Sequence, residues 1–121
     1  MNTLHQAVQE YLEMRRDLGD VNRVIASLVS AQNDLLDRES RLTSSQEEAS
    51  RGTSGVASDT LERVVSELTD AKNAASKRRD EITGELERLR LELIRLRSGV
   101  GTAAEVKAES QRARALLDGH L

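Results

Sequence analysis

A 3-4 repeat of apolar residues runs through the first fifty positions of this 121-residue chain and resumes after a glycine-bearing break. In helix one, one set of core positions is Leu4, Tyr11, Leu18, Ile25, Gln32, Glu39 and Gln46. The other is Ala7, Met14, Val21, Leu28, Leu35, Leu42 and Ala49. Helix two continues with Leu61, Leu68, Ala75, Ile82, Leu89 and Leu96 in one set, and Val65, Lys72, Arg79, Leu86, Leu93 and Val100 in the other. A stripe sustained this long has the period of a coiled-coil seam, not of a globular helix face. Outward charges pair at helical spacing, Asp34 with Arg38 and Asp37 with Arg41.

Nothing interrupts these helices except local punctuation, because the chain has no proline. Thr3-Leu4-His5-Gln6 reads as a capping box that starts helix one. Arg51-Gly52-Thr53-Ser54-Gly55 is a polar turn, and Ser58 or Asp59 offers the next N-cap. Gly99 and Gly101 suit a left-handed helix end, and Thr102-Ala103-Ala104-Glu105 is a second capping box. Gly119 sits where the last helix should stop. The expected organisation is one helical domain over residues 1–121. Helix one spans about 3–50, the turn 51–57, helix two about 58–99 and helix three about 102–118.

An antiparallel pair keeps a constant index sum between facing positions. Pairing Leu18 with Leu89 gives 107, and the same sum pairs Met14 with Leu93, Tyr11 with Leu96, Val21 with Leu86, Ile25 with Ile82 and Leu42 with Val65. Half of 107 falls within residues 52–55, where the glycines lie. The expected fold is therefore all-α, a long antiparallel helical hairpin of coiled-coil type. Its arm would be roughly 70 Å long at 1.5 Å per residue.

Four seam positions are polar: Gln32, Glu39, Lys72 and Arg79. In that register Glu39 lies one layer from Lys72, and Gln32 one layer from Arg79. Such long side chains reach solvent and fix register, and they predict a tip less stable than the base. A second reading is that these four loosen the tip or meet a partner there.

Other apolar residues fall outside the seam: Val8, Leu12, Val24, Val29 and Leu36 on helix one, Leu91 and Ile94 on helix two. A short third helix with the stripe Ala103, Val106, Ala113 and Leu117 is expected to fold back at the base, beside Leu91 and Ile94. Gly19 and Gly84 would allow close approach there. The alternative cover is a second copy, in a four-helix bundle. Val8, Leu12, Val29, Leu36, Leu91 and Ile94 are the candidate protein interface, with a homodimer as the expected assembly.

Composition narrows the chemistry. Cysteine is absent, so neither a disulfide framework nor a thiolate nucleophile is available. Aromatics are 1% of the chain, Tyr11 alone, and strand formers are scarce, which argues against a sandwich or barrel. No apolar run reaches membrane-spanning length, and the N-terminus has no apolar signal core, which with the missing cysteine fits a cytoplasmic location, expected to be bacterial. Residues 1–57 carry six basic and nine acidic groups, and residues 58–121 carry twelve of each. Neither half has the basic excess of a sequence-independent nucleic-acid binder. Arg88, Arg90, Arg95 and Arg97 are interleaved with Glu85, Glu87 and Glu92 and read as a salt-bridged helix. His5 and His120 lack metal-site spacing. No catalytic, cofactor-binding or metal-binding residues are expected, and no cofactor.

Two family resemblances bear on function. Residues 7–19, Ala7-Val8-Gln9-Glu10-Tyr11-Leu12-Glu13-Met14-Arg15-Arg16-Asp17-Leu18-Gly19, look like the opening helix of the core-binding domain of tyrosine recombinases; the likeness ends at Gly19, and no catalytic domain follows. The hairpin as a whole resembles the small secreted hairpins of type VII systems. Here the turn has Thr53-Ser54-Gly55 without tryptophan, and Tyr11 is followed four positions later by Arg15 rather than an acid. The expected function is a non-enzymatic coiled-coil interaction protein, an adaptor, scaffold or chaperone that presents helical surfaces to partner proteins. The alternatives are a secreted hairpin of type VII kind and a nucleic-acid-associated accessory protein.

Overall fold

A computed structural model describes residues 3–51 and 58–120. The chain forms three helices, α1 (Thr3–Ser50), α2 (Ser58–Arg97) and α3 (Ala103–His120), with no strand among the described residues. Ala, Leu, Arg, Glu and Gln, which lose little freedom in a helix, fill most positions. The expected boundaries hold to within two residues, and helix two stops at Arg97 rather than 99. The expected turn falls almost wholly at residues 52–57, outside those described. No described helix is long and apolar enough to cross a membrane.

The end of α2 is closed by backbone alone. Gly99 adopts φ 75°, in the left-handed region that costs a side-chain-bearing residue energy. Its N–H donates to the Leu96 carbonyl at 3.1 Å, and the Val100 N–H donates to the Arg95 carbonyl at 3.0 Å. That pair of bonds is a Schellman motif. At Gly101 a Cβ would stand 3.0 Å from the Arg95 Cβ and 3.3 Å from its carbonyl carbon, so the chain can reverse tightly only without one. The expected capping box then starts α3: the Glu105 N–H donates to Thr102 Oγ1, and that hydroxyl donates to the Glu105 carboxylate, both at 3.2 Å.

The chain divides into two compact units. The first joins Met1–Ser30 with Ile82–Leu121, and so contains the start of α1, the end of α2 and all of α3. Its core is Val21, Val24 and Leu28 from α1, Ile82, Leu86 and Leu89 from α2, and Val106, Ala113 and Leu117 from α3. On α3 the buried residues recur at spacings of four, three and four, with Ser110 completing the stripe. Burying each of the larger aliphatic side chains is worth roughly 2 kcal/mol relative to leaving it in water. The third helix explains Val24: no two-helix seam needs it, yet with α3 present it is enclosed.

Helix three thus folds back, but not over the surface expected. Leu91 and Ile94 remain 53% and 58% exposed. Nor do glycines grant its approach: a Cβ on Gly19 would meet nothing within 4 Å, and one on Gly84 only the Arg88 guanidinium.

The second unit, Ala31–Glu81, is a two-helix element. Arg79 Nη1 of α2 pairs with Glu39 Oε2 of α1 at 2.8 Å, and the Gln46 side-chain amide donates to Thr69 Oγ1. Along α1 the partner index falls from 79 to 69 as the position rises from 39 to 46, so the helices run antiparallel. Thr69 in turn donates to the Val65 carbonyl at 2.9 Å.

These contacts correct the expected register. Their index sums are 118 and 115, not 107. At 107 Glu39 would face Leu68, and Gln46 would face Leu61, each about three turns or two turns from the residue it actually meets. A sum of 114, one heptad further on, brings Glu39 level with Ala75 and Gln46 level with Leu68, within side-chain reach of Arg79 and Thr69. The physical reason lies in Glu39. In the slipped register it faces the small, buried Ala75 and reaches a guanidinium one turn along. In the expected one, this acid would confront a leucine. Glu39 therefore pairs with Arg79, not with Lys72.

Burial in the first unit fits the same slip. Register 107 sets Tyr11 against Leu96 and Met14 against Leu93, yet Tyr11 is 61% exposed and Met14 is exposed as well. Register 114 sets Leu18 against Leu96, and these two line one groove. It also leaves residues of α1 before about position 17 with no α2 residue opposite them.

Candidate functional site

The slip creates the principal surface. Every residue of α1 from 3 to 16 is exposed, although the stretch carries Leu4, Ala7, Val8, Tyr11, Leu12 and Met14. Leu4 is 79% exposed. At 100° per residue these six side chains share one broad face, with Gln9 and Glu13 on the opposite side and Glu10 near the Met14 edge. Sequence reasoning placed Leu4, Tyr11 and Met14 inside the seam. The available signal was length: a helix pair in register 114 exhausts α2 before α1 is covered.

Where this overhang joins the first unit it runs into a groove of about 90 Å³. Met14, Leu18 and Val21 of α1, Leu96 of α2, and Ala103 and Val106 of α3 supply its apolar lining. Asp17 and Asp20 stand on the α1 wall, and Lys107 and Arg114 on the α3 wall. Neither Lys107 nor Arg114, nor Glu10 or Glu13 on the overhang, takes part in an ion pair among the described residues.

The six sequence-predicted interface residues divide. Val8 and Leu12 lie on the overhang, exposed. Leu91 and Ile94 are exposed on the stretch of α2 within the same unit, and Val29 there is half-buried. Leu36 is exposed in the second unit. Of the polar seam positions, Glu39 and Arg79 come together, while Gln32 and Lys72 are half-buried.

A charged cluster, missed in the sequence, joins α2 to α3. Glu85 is only 2% exposed. Its Oε2 accepts from Arg88 Nη2 at 2.8 Å and from Arg88 Nε at 3.2 Å. Arg88 also lies 3.6 Å from Glu109 of α3, which meets Arg112 at 3.5 Å. Glu85 Oε1 and Glu109 Oε1 are both enclosed without a donor. Burial pushes the Glu109 carboxyl above its ordinary range, and the facing Glu85 carboxyl adds to the rise, against Arg112 and Arg88. The Glu85 hydrogen bond holds the Arg88 guanidinium above its usual value. Through Arg88 and Glu109 the cluster ties α3 to α2. Among the described residues no group of three His, Cys, Asp or Glu could hold a metal ion. His5 is exposed, and the His120 side chain lies outside the described part.

Compared with known proteins, the chain matches no family model, no curated protein and no solved structure.

Proposed function

We propose that this protein is a non-enzymatic interaction protein, an adaptor, scaffold or chaperone that offers amphipathic helical surfaces to partner helices. One observation carries the reading: residues 3–16 of α1 hold a broad apolar face and are exposed throughout. Exposed apolar surface of that extent marks partner sites in soluble proteins. A helix bearing such a face binds in the helix-in-groove or coiled-coil mode, where anchors at heptad spacing supply the affinity.

The test is a selection of displayed helical peptides on the intact chain at nanomolar concentration, counter-selected with Leu4→Glu, Tyr11→Glu and Met14→Glu combined. The expected recoveries are peptides with apolar residues at a 3-4 spacing that bind the original chain and not the variant. Recovery of no helix, together with a strictly monomeric chain at high concentration, would overturn the reading.

A further inference from the structure

We propose that the α1 overhang is covered by the same segment of a second copy, running antiparallel, each overhang lying along the other chain's groove beside Leu18 and Val106. The proposal rests on the reading of the chain as an interaction protein and names the partner at that surface.

Continuity is the first argument. Leu4, Ala7, Tyr11 and Met14 carry the same two heptad sets that close intramolecularly from Leu18 and Val21 onward. The stripe does not fade where α2 ends; only its cover does. A cover with the same period completes it.

Self-complementarity is the second. Facing positions in a two-fold antiparallel pair share one index sum, and each pair occurs twice. A sum of 25 sets Tyr11 against Met14, both exposed, and Ala7 against the half-buried Leu18. Each of these layers joins one heptad set to the other, apolar on apolar. The axis passes between positions 12 and 13. The pairing spans residues 7–18 of each chain, about 18 Å at 1.5 Å per residue.

Charge is the third. Glu10 borders the apolar face of the overhang, and Lys107 and Arg114 border the groove on α3. All three lack an ion-pair partner within the described chain. Opposite charges unpaired on two surfaces of matching period orient the encounter. Leu91 and Ile94, by contrast, have flanking charges of both signs and no groove beside them that any of these observations defines.

The experiment uses the full chain. Sedimentation equilibrium should give the mass of two chains at tens of micromolar, and Tyr11→Glu with Met14→Glu should give one chain with unchanged helicity by circular dichroism, since both sites are exposed. The chain has no cysteine, so cross-linking is clean. A mixture of the single variants Ala7→Cys and Leu18→Cys should form a disulfide-linked heterodimer on mild oxidation, and neither variant alone should. Replacing Ala7→Cys by Gln9→Cys, on the opposite face, should abolish the link. Glu10→Lys should weaken association several-fold, and adding Lys107→Glu with Arg114→Glu should restore it. A monomer at every concentration overturns the proposal, and if that monomer still selects heptad peptides, the interaction function stands with a foreign helix as occupant. A dimer that survives Tyr11→Glu and Met14→Glu but dissociates with Leu91→Glu and Ile94→Glu overturns it too.

Discussion

The two compact units are built from the same pair of helices, yet they enclose their interiors very differently. Of the fully buried apolar residues, all but Ala75 belong to the unit that includes α3. Ala31–Glu81 has heptad leucines as well, but Leu35, Leu42, Leu61 and Leu68 are only half-buried. Two helices in contact shield one strip of each other and leave its margins wet. A third helix closes the margin, which is why Leu28 and Leu89 reach 0% exposure. The two-helix unit relies instead on cross-helix polar contacts, Glu39 with Arg79 and Gln46 with Thr69. Those specify register more than they stabilise, because partly exposed ion pairs contribute little.

The difference is most directly broken by truncating the core. Leu28→Ala or Leu89→Ala should cost about 2–5 kcal/mol in chemical denaturation, as full burial without room to collapse implies. Leu68→Ala should cost about 1 kcal/mol, since half its surface term is already lost to water. Equal costs would erase the contrast. Overfilling tests the role of α3 itself. Ala113 is fully enclosed, so Ala113→Leu should cost about 1–3 kcal/mol and free α3. Hydrogen exchange should then rise in α3 and around Val24, while amides of residues 31–50 keep their rates.

A pH experiment sharpens the same contact. Glu109 holds its proton to higher pH in the folded chain than in the unfolded one. Its contribution is therefore complete below the ordinary glutamate value of 4.5 and is lost as pH rises through the raised folded value. Glu85 and Glu109 then repel across the α2–α3 contact, with Arg88 and Arg112 offsetting part of it. Glu109→Gln should raise the melting temperature at pH 7, leave it nearly unchanged at pH 4, and so flatten the loss between. An equal shift at both values would show that the carboxyl does not titrate there. The smallest effect is expected at Gly84. A methyl there meets only the Arg88 guanidinium, in ordinary van der Waals contact at 3.6 Å. Gly84→Ala should stabilise by about 0.5–1 kcal/mol through helix propensity, read as a small upward shift in melting temperature.

How much of this was legible beforehand follows from the range of each interaction. The cap at Gly99, the Thr102–Glu105 box and the Asp37–Arg41 pair involve residues three to five apart, and each appears as the sequence implies. Index sum 107 was also a reasonable reading, since it places core on core and centres the glycines. The Glu85–Arg88–Glu109 cluster was not legible. Its α2 part looked like any helical ion pair, and only the docking of α3 converts Glu85 from a surface acid into a buried one.

Sequence alone therefore determined the three helices and the period of their apolar faces, because backbone hydrogen bonds and side-chain periodicity act within a few residues. Tertiary structure alone decided the register and the face that α3 covers. A heptad repeat slid by seven still sets apolar on apolar, so periodicity leaves neighbouring registers nearly equivalent. The choice shows in particular side chains: Glu39 pairs with Arg79, and Val106, Ala113 and Leu117 of α3 are buried while Leu91 stays exposed. That slip of one heptad uncovers residues 3–16 of α1, and with them the surface on which the proposed function depends.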